Sequence, residues 1–266
     1  INMTAARELA ENLRIAFSGT KKYGPFEIEG ELANTMLSVS NNPNNLPNSD
    51  VLKPWVNGSD IAGRRRWKWI IDFDERTHDE ASLYEVPFEH VKQTVKPTRV
   101  NQRNKKLEKE WWLFESRRPI MRQALSGLRR FAATPAVSRH RIFVWLQHPT
   151  QPDQQLIVFA RDDDYFFGVL HSKAHELWVT RKGARLGVGN DPRYTATETF
   201  ATFPFPWPPG KEPAGDARVD RIAEAARRLV ALRDEWLNPP DLPEKELARR
   251  TLTNLYNCLL YTSPSP

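Results

Sequence analysis

Residues 162–209 read DDDYFFGVLHSKAHELWVTRKGARLGVGNDPRYTATETFATFPFPWPP, and this stretch decides how the chain is read. Tyr165, Phe166, Phe167, Val169 and Leu170 make one dense apolar cluster; Leu177, Trp178 and Val179 make another. The stretch predicts a short apolar helix and then a second helix. Asp162, Asp163 and Asp164 precede the first, where acidic caps complement a helix dipole. Between Gly183 and Arg193 the apolar pattern collapses into glycines, arginines, Asn190 and Asp191. The run Phe203 to Pro209 is an aromatic–proline exit. A rigid apolar platform that carries a donor-rich loop is a common way to display binding residues.

Upstream, Phe131–Thr134, Val137–Leu146 and Gln155–Phe159 read as strands. Ile142, Val144 and Leu146 point one way; Phe143 and Trp145 point the other. Downstream, residues 210–217 are a linker, and Asp216–Leu237 is an amphipathic helix. Its apolar face carries Val219, Ile222, Ala226, Leu229, Val230 and Trp236. A last helix runs from Glu244 to about Asn257, a bound read from helix-stop rules.

The first part of the chain reads as mixed. Thr4–Phe17 is expected to be a helix, with Leu9, Leu13 and Phe17 on one face. A second short helix is expected over Ile28–Val39. Residues 41–50, NNPNNLPNSD, are nearly all turn-formers and mark a boundary. Trp69–Phe73 has strand character. Asp79–Tyr84 and Pro87–Val95 read as helices, with Pro97 as a stop. Arg99–Phe114 reads as a basic helix, and Ile120–Leu128 as another. The expected class is α+β: a small, largely antiparallel sheet with several helices, then a C-terminal helical segment.

The chain has 266 residues, 39% hydrophobic and 27% charged, enough for one large or two small domains with a real core. No run approaches the roughly 20 apolar residues of a membrane helix. No signal-peptide pattern opens the sequence, so cytoplasm is the default expectation. A single cysteine, Cys258, leaves no internal disulfide framework and no Cys-rich zinc site. Residues 92–130 hold twelve Lys or Arg against three acids, a balance of +9 in a chain whose total is +6. So localised an excess favours a polyanionic partner. Its candidate phosphate contacts are Lys96, Arg99, Arg103, Lys105, Lys106 and Lys109. A second group, Arg64, Arg65, Arg66 and Lys68, is interleaved with Trp67 and Trp69. Core packing is the expected job of both tryptophans.

Base edges in a major groove are read by Arg, Lys, Asn, Gln or Asp. Arg181, Lys182, Arg185, Asn190, Asp191 and Arg193 supply such groups close together, with glycines 183, 187 and 189 permitting close backbone approach. Other chemistries fit less well. Asp162–Asp164 with His171 and His175 could suggest a metal site, but a metal-dependent nuclease needs separated carboxylates converging from different elements, and the residue after His171 is Ser172, where a zinc protease needs glutamate. Capping and packing explain the same residues more simply. A basic module that docks an acidic protein is a third reading.

Two phrases carry a resemblance. YFFGVLHSKAHELW (165–178) and PRYTATETFATFPFP (192–206) resemble the target-recognition region of MmeI-like enzymes, DNA adenine methyltransferases often fused to a nuclease. Pro54-Trp55-x-x-Gly58-x-Asp60-Ile61 resembles a phrase at the start of such domains. The resemblance implies that double-stranded DNA is the partner and that specificity positions lie near 181–193. It also implies a methyltransferase domain upstream in the same chain, which would use S-adenosylmethionine. Neither the Gly-rich cofactor turn nor the Asn-Pro-Pro-aromatic loop of that domain is in this sequence. No cofactor is therefore expected in this part, and no catalytic residue. The expected division is a connector at 1–40, a target-recognition domain at 41–209, and helices at 210–257. Residues 258–266 resemble a translated sequencing adaptor and are expected to carry no biological meaning.

Overall fold

The computed structural model describes residues 5–186 and 191–262. Its first half runs β1 (Ala16–Ser18), β2 (Glu27–Ile28), α1 (Gly30–Leu37), β3 (Leu52–Val56), α2 (Gly58–Ala62) and β4 (Trp69–Ile71). Then come α3 (His78–Ser82), α4 (Glu85–Thr94), α5 (Lys96–Arg99), α6 (Lys105–Lys109) and α7 (Pro119–Leu125). The second half runs β5 (Arg130–Pro135), β6 (Val144–Gln147), β7 (Gln151–Pro152), β8 (Leu156–Phe159), α8 (Asp164–Leu170) and α9 (Lys173–Lys182). A hairpin of β9 (Arg185–Leu186) and β10 (Asp191–Pro192) follows, then α10 (Ala217–Leu237), α11 (Glu244–Leu247) and α12 (Leu252–Thr262). The fold is α+β.

One sheet has the order β1-β8-β5-β6 and is antiparallel throughout. Its strands alternate as a pleated backbone must, and both faces are covered. Phe131, Ala133, Leu146, Leu156 and Val158 pack on one side with Val56, Met121 and Leu125. Ala132, Phe143, Ile157 and Phe159 pack on the other with Phe166, Phe167 and Tyr194. That is why Leu156–Phe159 reads as an unbroken apolar run: all four residues are buried. The second sheet, β2-β4-β3-β7, is antiparallel except where β3 meets β7 in parallel, Trp55 opposite Gln151. It supports a separate core of Phe26, Trp55, Ile70, Ile71, Phe73 and Tyr84.

The two helices at 164–182 form as the sequence implies. The Asp163 carboxylate accepts from the Phe166 amide at 2.8 Å, and the Ser172 hydroxyl accepts from the His175 amide at 3.2 Å. α10 crosses α8 at Gly168, where a Cβ would lie 2.7 Å from Ile222 Cγ2. Only glycine lets these helices approach so closely.

Several expectations fail, each for a visible reason. Thr4–Phe17 is not a helix: among its described residues a 3-10 turn covers Ala10–Asn12, and β1 begins at Ala16. Arg14 adopts φ 62°, and the Asn12 amide donates to the carbonyls of Phe200, Ala201 and Phe203. Tertiary hydrogen bonds outweigh an every-fourth-residue apolar pattern here. The segment expected as a connector thus supplies one strand to each sheet. Arg99–Phe114 is not one basic helix; Arg99 ends α5, Asn101 turns to φ 61°, and helix returns only over Lys105–Lys109. The helix before Pro97 does end at Thr94, but a further short helix, α5, restarts at Lys96 with Pro97 in its first turn. The long strand expected at 137–146 is confined to its last part, from Val144. The last helix is split into α11 and α12. Trp67 is not in the core: it is 67% exposed, with φ 55°, under the Arg65 guanidinium at 4.4 Å. Trp69 does pack against the first core.

Candidate nucleic-acid interface

The donor-rich stretch after α9 is a short β-hairpin. Asp191 pairs with Leu186 and Pro192 with Arg185. Gly187 to Asn190 lie outside the described residues, and the expectation for Asn190 falls there with them. The hairpin is bound to the protein at its base. Gly183 closes α9 through its amide to the Val179 carbonyl at 2.8 Å, and a Cβ there would lie 2.7 Å from the Arg193 carbonyl. The Arg193 amide donates to Ala184 at 2.7 Å, and Arg193 bridges Val137 in antiparallel fashion. The Tyr194 amide donates to Ala136 at 2.7 Å.

Side-chain direction follows from this register. Tyr194 is fully buried, so its neighbour Arg193 points outward and is exposed. Asp191, two residues back, lies on the Arg193 face. Arg181 and Arg185 are exposed; Lys182 is half-buried, its Nζ donating to the Ala6 carbonyl at 3.2 Å.

Beneath the hairpin lies a hydrogen-bonded column. His175 is buried, and burial pushes its pKa down to about 4. The neutral ring donates from Nδ1 to the Leu170 carbonyl at 2.8 Å. That leaves Nε2 to accept from the Tyr194 hydroxyl at 3.0 Å. Burial also drives the Tyr194 pKa upward. The Arg141 guanidinium stands 5.1 Å from the Tyr194 ring centre. It donates to Thr134 Oγ1 and the Pro192 carbonyl, both at 3.0 Å, and to the Pro135 carbonyl. Burial lowers its pKa to about 10, so it stays charged at neutral pH.

The residues weighed for metal chemistry are occupied otherwise. Asp163 caps α8, Asp164 pairs with Arg130 at 2.7 Å, and His171 Nδ1 meets the Phe167 carbonyl at 3.0 Å. Among the described residues no group of three or more His, Cys, Asp or Glu is placed to hold a metal. No helix of the described residues is long and apolar enough to cross a membrane.

The basic residues expected to meet phosphate divide sharply. Arg99 is a correction: it is 0% exposed. Its guanidinium donates to the carbonyls of Lys22, Tyr23, Glu110 and Leu113. No phosphate can reach it there. Arg64 is turned to the C-terminal helices, donating to the Leu237 carbonyl at 2.8 Å. Arg66 forks onto Asp60 at 2.9 and 3.2 Å, and Lys68 pairs with Glu29 at 2.9 Å. Lys105 pairs with Glu108 and Lys106 with Glu110. Lys96 lies over Trp111 at 5.2 Å. Arg103, Lys105, Lys106 and Lys109 are exposed. Surface pairs of this kind are worth about 0–1 kcal/mol, so a phosphate can replace the carboxylate at little cost.

Sequence reasoning missed Arg141 and the His175–Tyr194 pair as supports of the hairpin. The available signal was an arginine placed directly before the apolar run Ile142–Phe143–Val144.

A double-sided core holds out a two-stranded ribbon that carries Arg185 and Asp191, with exposed Arg193 at its base, an arrangement suited to a recognition domain. Residues 29–207 match the family model described as MmeI, target recognition domain, and the chain belongs to that family. It is also similar to a solved structure of the Type IIL restriction-modification enzyme MmeI in complex with DNA, a structure with implications for engineering of new specificities. The TM-score is 0.65 at 16% identity, over 98% of this chain and 35% of that one. The chain thus spans about a third of the length of the protein it resembles. No curated protein sequence matches it.

Proposed function

We propose that this chain reads the base sequence of duplex DNA on behalf of an adenine-N6 methyltransferase of a restriction-modification system. In this reading Arg181, Lys182, Arg185, Asn190, Asp191 and Arg193 face base edges. Arg103, Lys105, Lys106 and Lys109 meet the phosphate backbone. The observation that carries the reading is the outward side of β10 and the residue after it, where Asp191 and exposed Arg193 share a face next to the bonds that tie Arg193 to Ala184 and Tyr194 to Ala136. Arginine forks onto guanine O6 and N7, and a carboxylate accepts from cytosine N4.

Methyl transfer belongs to a methyltransferase domain upstream in the same protein, which would extrude the adenine and hold S-adenosylmethionine. The residues here do not fit that cofactor. That cofactor, which carries no phosphate, would need open backbone amides for its methionine and ribose, and the strand-to-helix turn after β3 does not offer them. There the amides of Ser59 and Asp60 already bond to Asn57 Oδ1. No step of the reading passes through the cofactor in this chain.

The test is binding to a randomised duplex library and to the selected site over a salt series. The expected result is an enriched sequence, with affinity falling steeply as salt rises. Absence of salt-dependent binding rejects the reading.

A further inference from the structure

We infer that Arg141 is a positioning residue for the recognition hairpin: it sets where Asp191 and Arg193 stand without meeting DNA itself. The DNA part of this inference rests on the function proposed above.

The hairpin has little of its own to hold it in place. Among the described residues its ladder consists of two residue pairs, and two-stranded ribbons are marginal without support. Support comes from below. Arg141 reaches from the approach to β6 and donates to the end of β5, at Thr134 and Pro135, and to the end of β10, at Pro192. A single planar fork therefore fixes the distance between the edge of the central sheet and the hairpin. The guanidinium also lies on the ring of Tyr194, whose hydroxyl bonds His175, whose other nitrogen bonds the end of α8. The contacts run without a break from α8 to Pro192, the residue between Asp191 and Arg193.

The choice of residue is informative. Arg141 has no carboxylate partner among the described residues, and burial works against its charge. An apolar side chain could fill the same space at lower cost. What it could not do is hold acceptors from two segments in one plane. A lysine at this position offers a point charge in place of a fork and could not span them at the same angles.

The test uses the full chain with Arg141→Lys and Arg141→Met, and Tyr194→Phe as a variant that keeps the ring under Arg141. Two readouts are needed: amide hydrogen exchange of Arg193 and Tyr194 against β8, and discrimination between the selected site and its single-base variants. In Arg141→Lys both hairpin amides should exchange faster while β8 is unchanged, and discrimination should fall about tenfold with the salt slope retained. Arg141→Met should show the same pattern more strongly. Tyr194→Phe should fall between wild type and Arg141→Lys. Unchanged hairpin exchange overturns the inference. So does exchange that rises equally in β8, which marks a merely structural role, and so does intact discrimination in a loosened hairpin. A wild-type chain that selects no sequence overturns the DNA reading on which the inference rests, whatever the exchange shows.

Discussion

The cations of residues 92–130 and those of the hairpin look alike in sequence and are used differently. In the basic segment much of the charge is spent within the molecule. Arg99 ties four carbonyls, Arg122 meets Asp72 and Asp74, Lys92 meets Glu89, and Arg130 meets Asp164. At the hairpin, one half-buried arginine, Arg141, makes the structural contacts, and Arg193 is left facing outward. A count of charges along the chain therefore overstates the basic segment and understates the hairpin. The lesson is that a cation's role depends on whether the fold brings carbonyls or carboxylates to it.

Arg99 offers the largest test of that contrast. Arg99→Met should destabilise the chain by on the order of 3 kcal/mol or more, because buried carbonyls lose their donors. Urea denaturation measures it. The salt slope of DNA binding should stay the same. A cost below about 1 kcal/mol would mean that water satisfies those carbonyls and that Arg99 is not a structural tie.

The column under the hairpin gives the next effect, through pH. His175 has a folded pKa of about 4, below its ordinary 6.5, so the unfolded chain takes up protons first as pH falls. Its contribution is complete above pH 6.5 and is lost as pH drops towards 4. The loss should total on the order of 3 kcal/mol. His171, with a folded pKa of about 3, acts in the same direction. An NMR titration in which the His175 ring titrates near 6.5 would defeat this account.

These two cases also show what could be read in advance. The apolar runs that became β8, α8 and α10 were legible because burial imposes a period on side chains, and the period survives in the sequence. The acidic cap at Asp163 was legible as local chemistry, and so was the place of the donor-rich stretch, marked by glycines and a loss of apolar residues. Arg99 was not legible, since its acceptors at Lys22 and Tyr23 come from a distant segment. Nor was Trp67, whose left-handed backbone turns it out of the core its neighbours build. Thr4–Phe17 carried a genuine helical spacing, but Asn12 answers to carbonyls 188 and more residues away, and Arg14 to a local turn. Long-range hydrogen bonds leave no periodic trace.

Arg193 sharpens the contrast from the other side. Arg193→Ala should leave stability within about 0.5 kcal/mol, as exposed substitutions usually do. It should relax one base position by about 1–3 kcal/mol. Equal weakening on every sequence would instead assign Arg193 to the phosphate backbone.

A comparably small effect on stability is expected at Lys105 and Lys106, and this test decides how much of the basic segment serves DNA. Each sits on α6 in an exposed ion pair, with Glu108 and Glu110. Reversing both charges removes those pairs at a cost of about 1 kcal/mol or less. If the two side chains exchange their carboxylates for phosphates on binding, affinity should drop equally for selected and unselected duplexes. The salt slope should then fall by about one for each phosphate no longer neutralised. If instead the slope is unchanged, α6 belongs with Arg99 as internal architecture. The hairpin and its neighbours would then have to supply the cationic grip alone, and the positive excess of residues 92–130 would be a consequence of folding rather than a hold on the duplex.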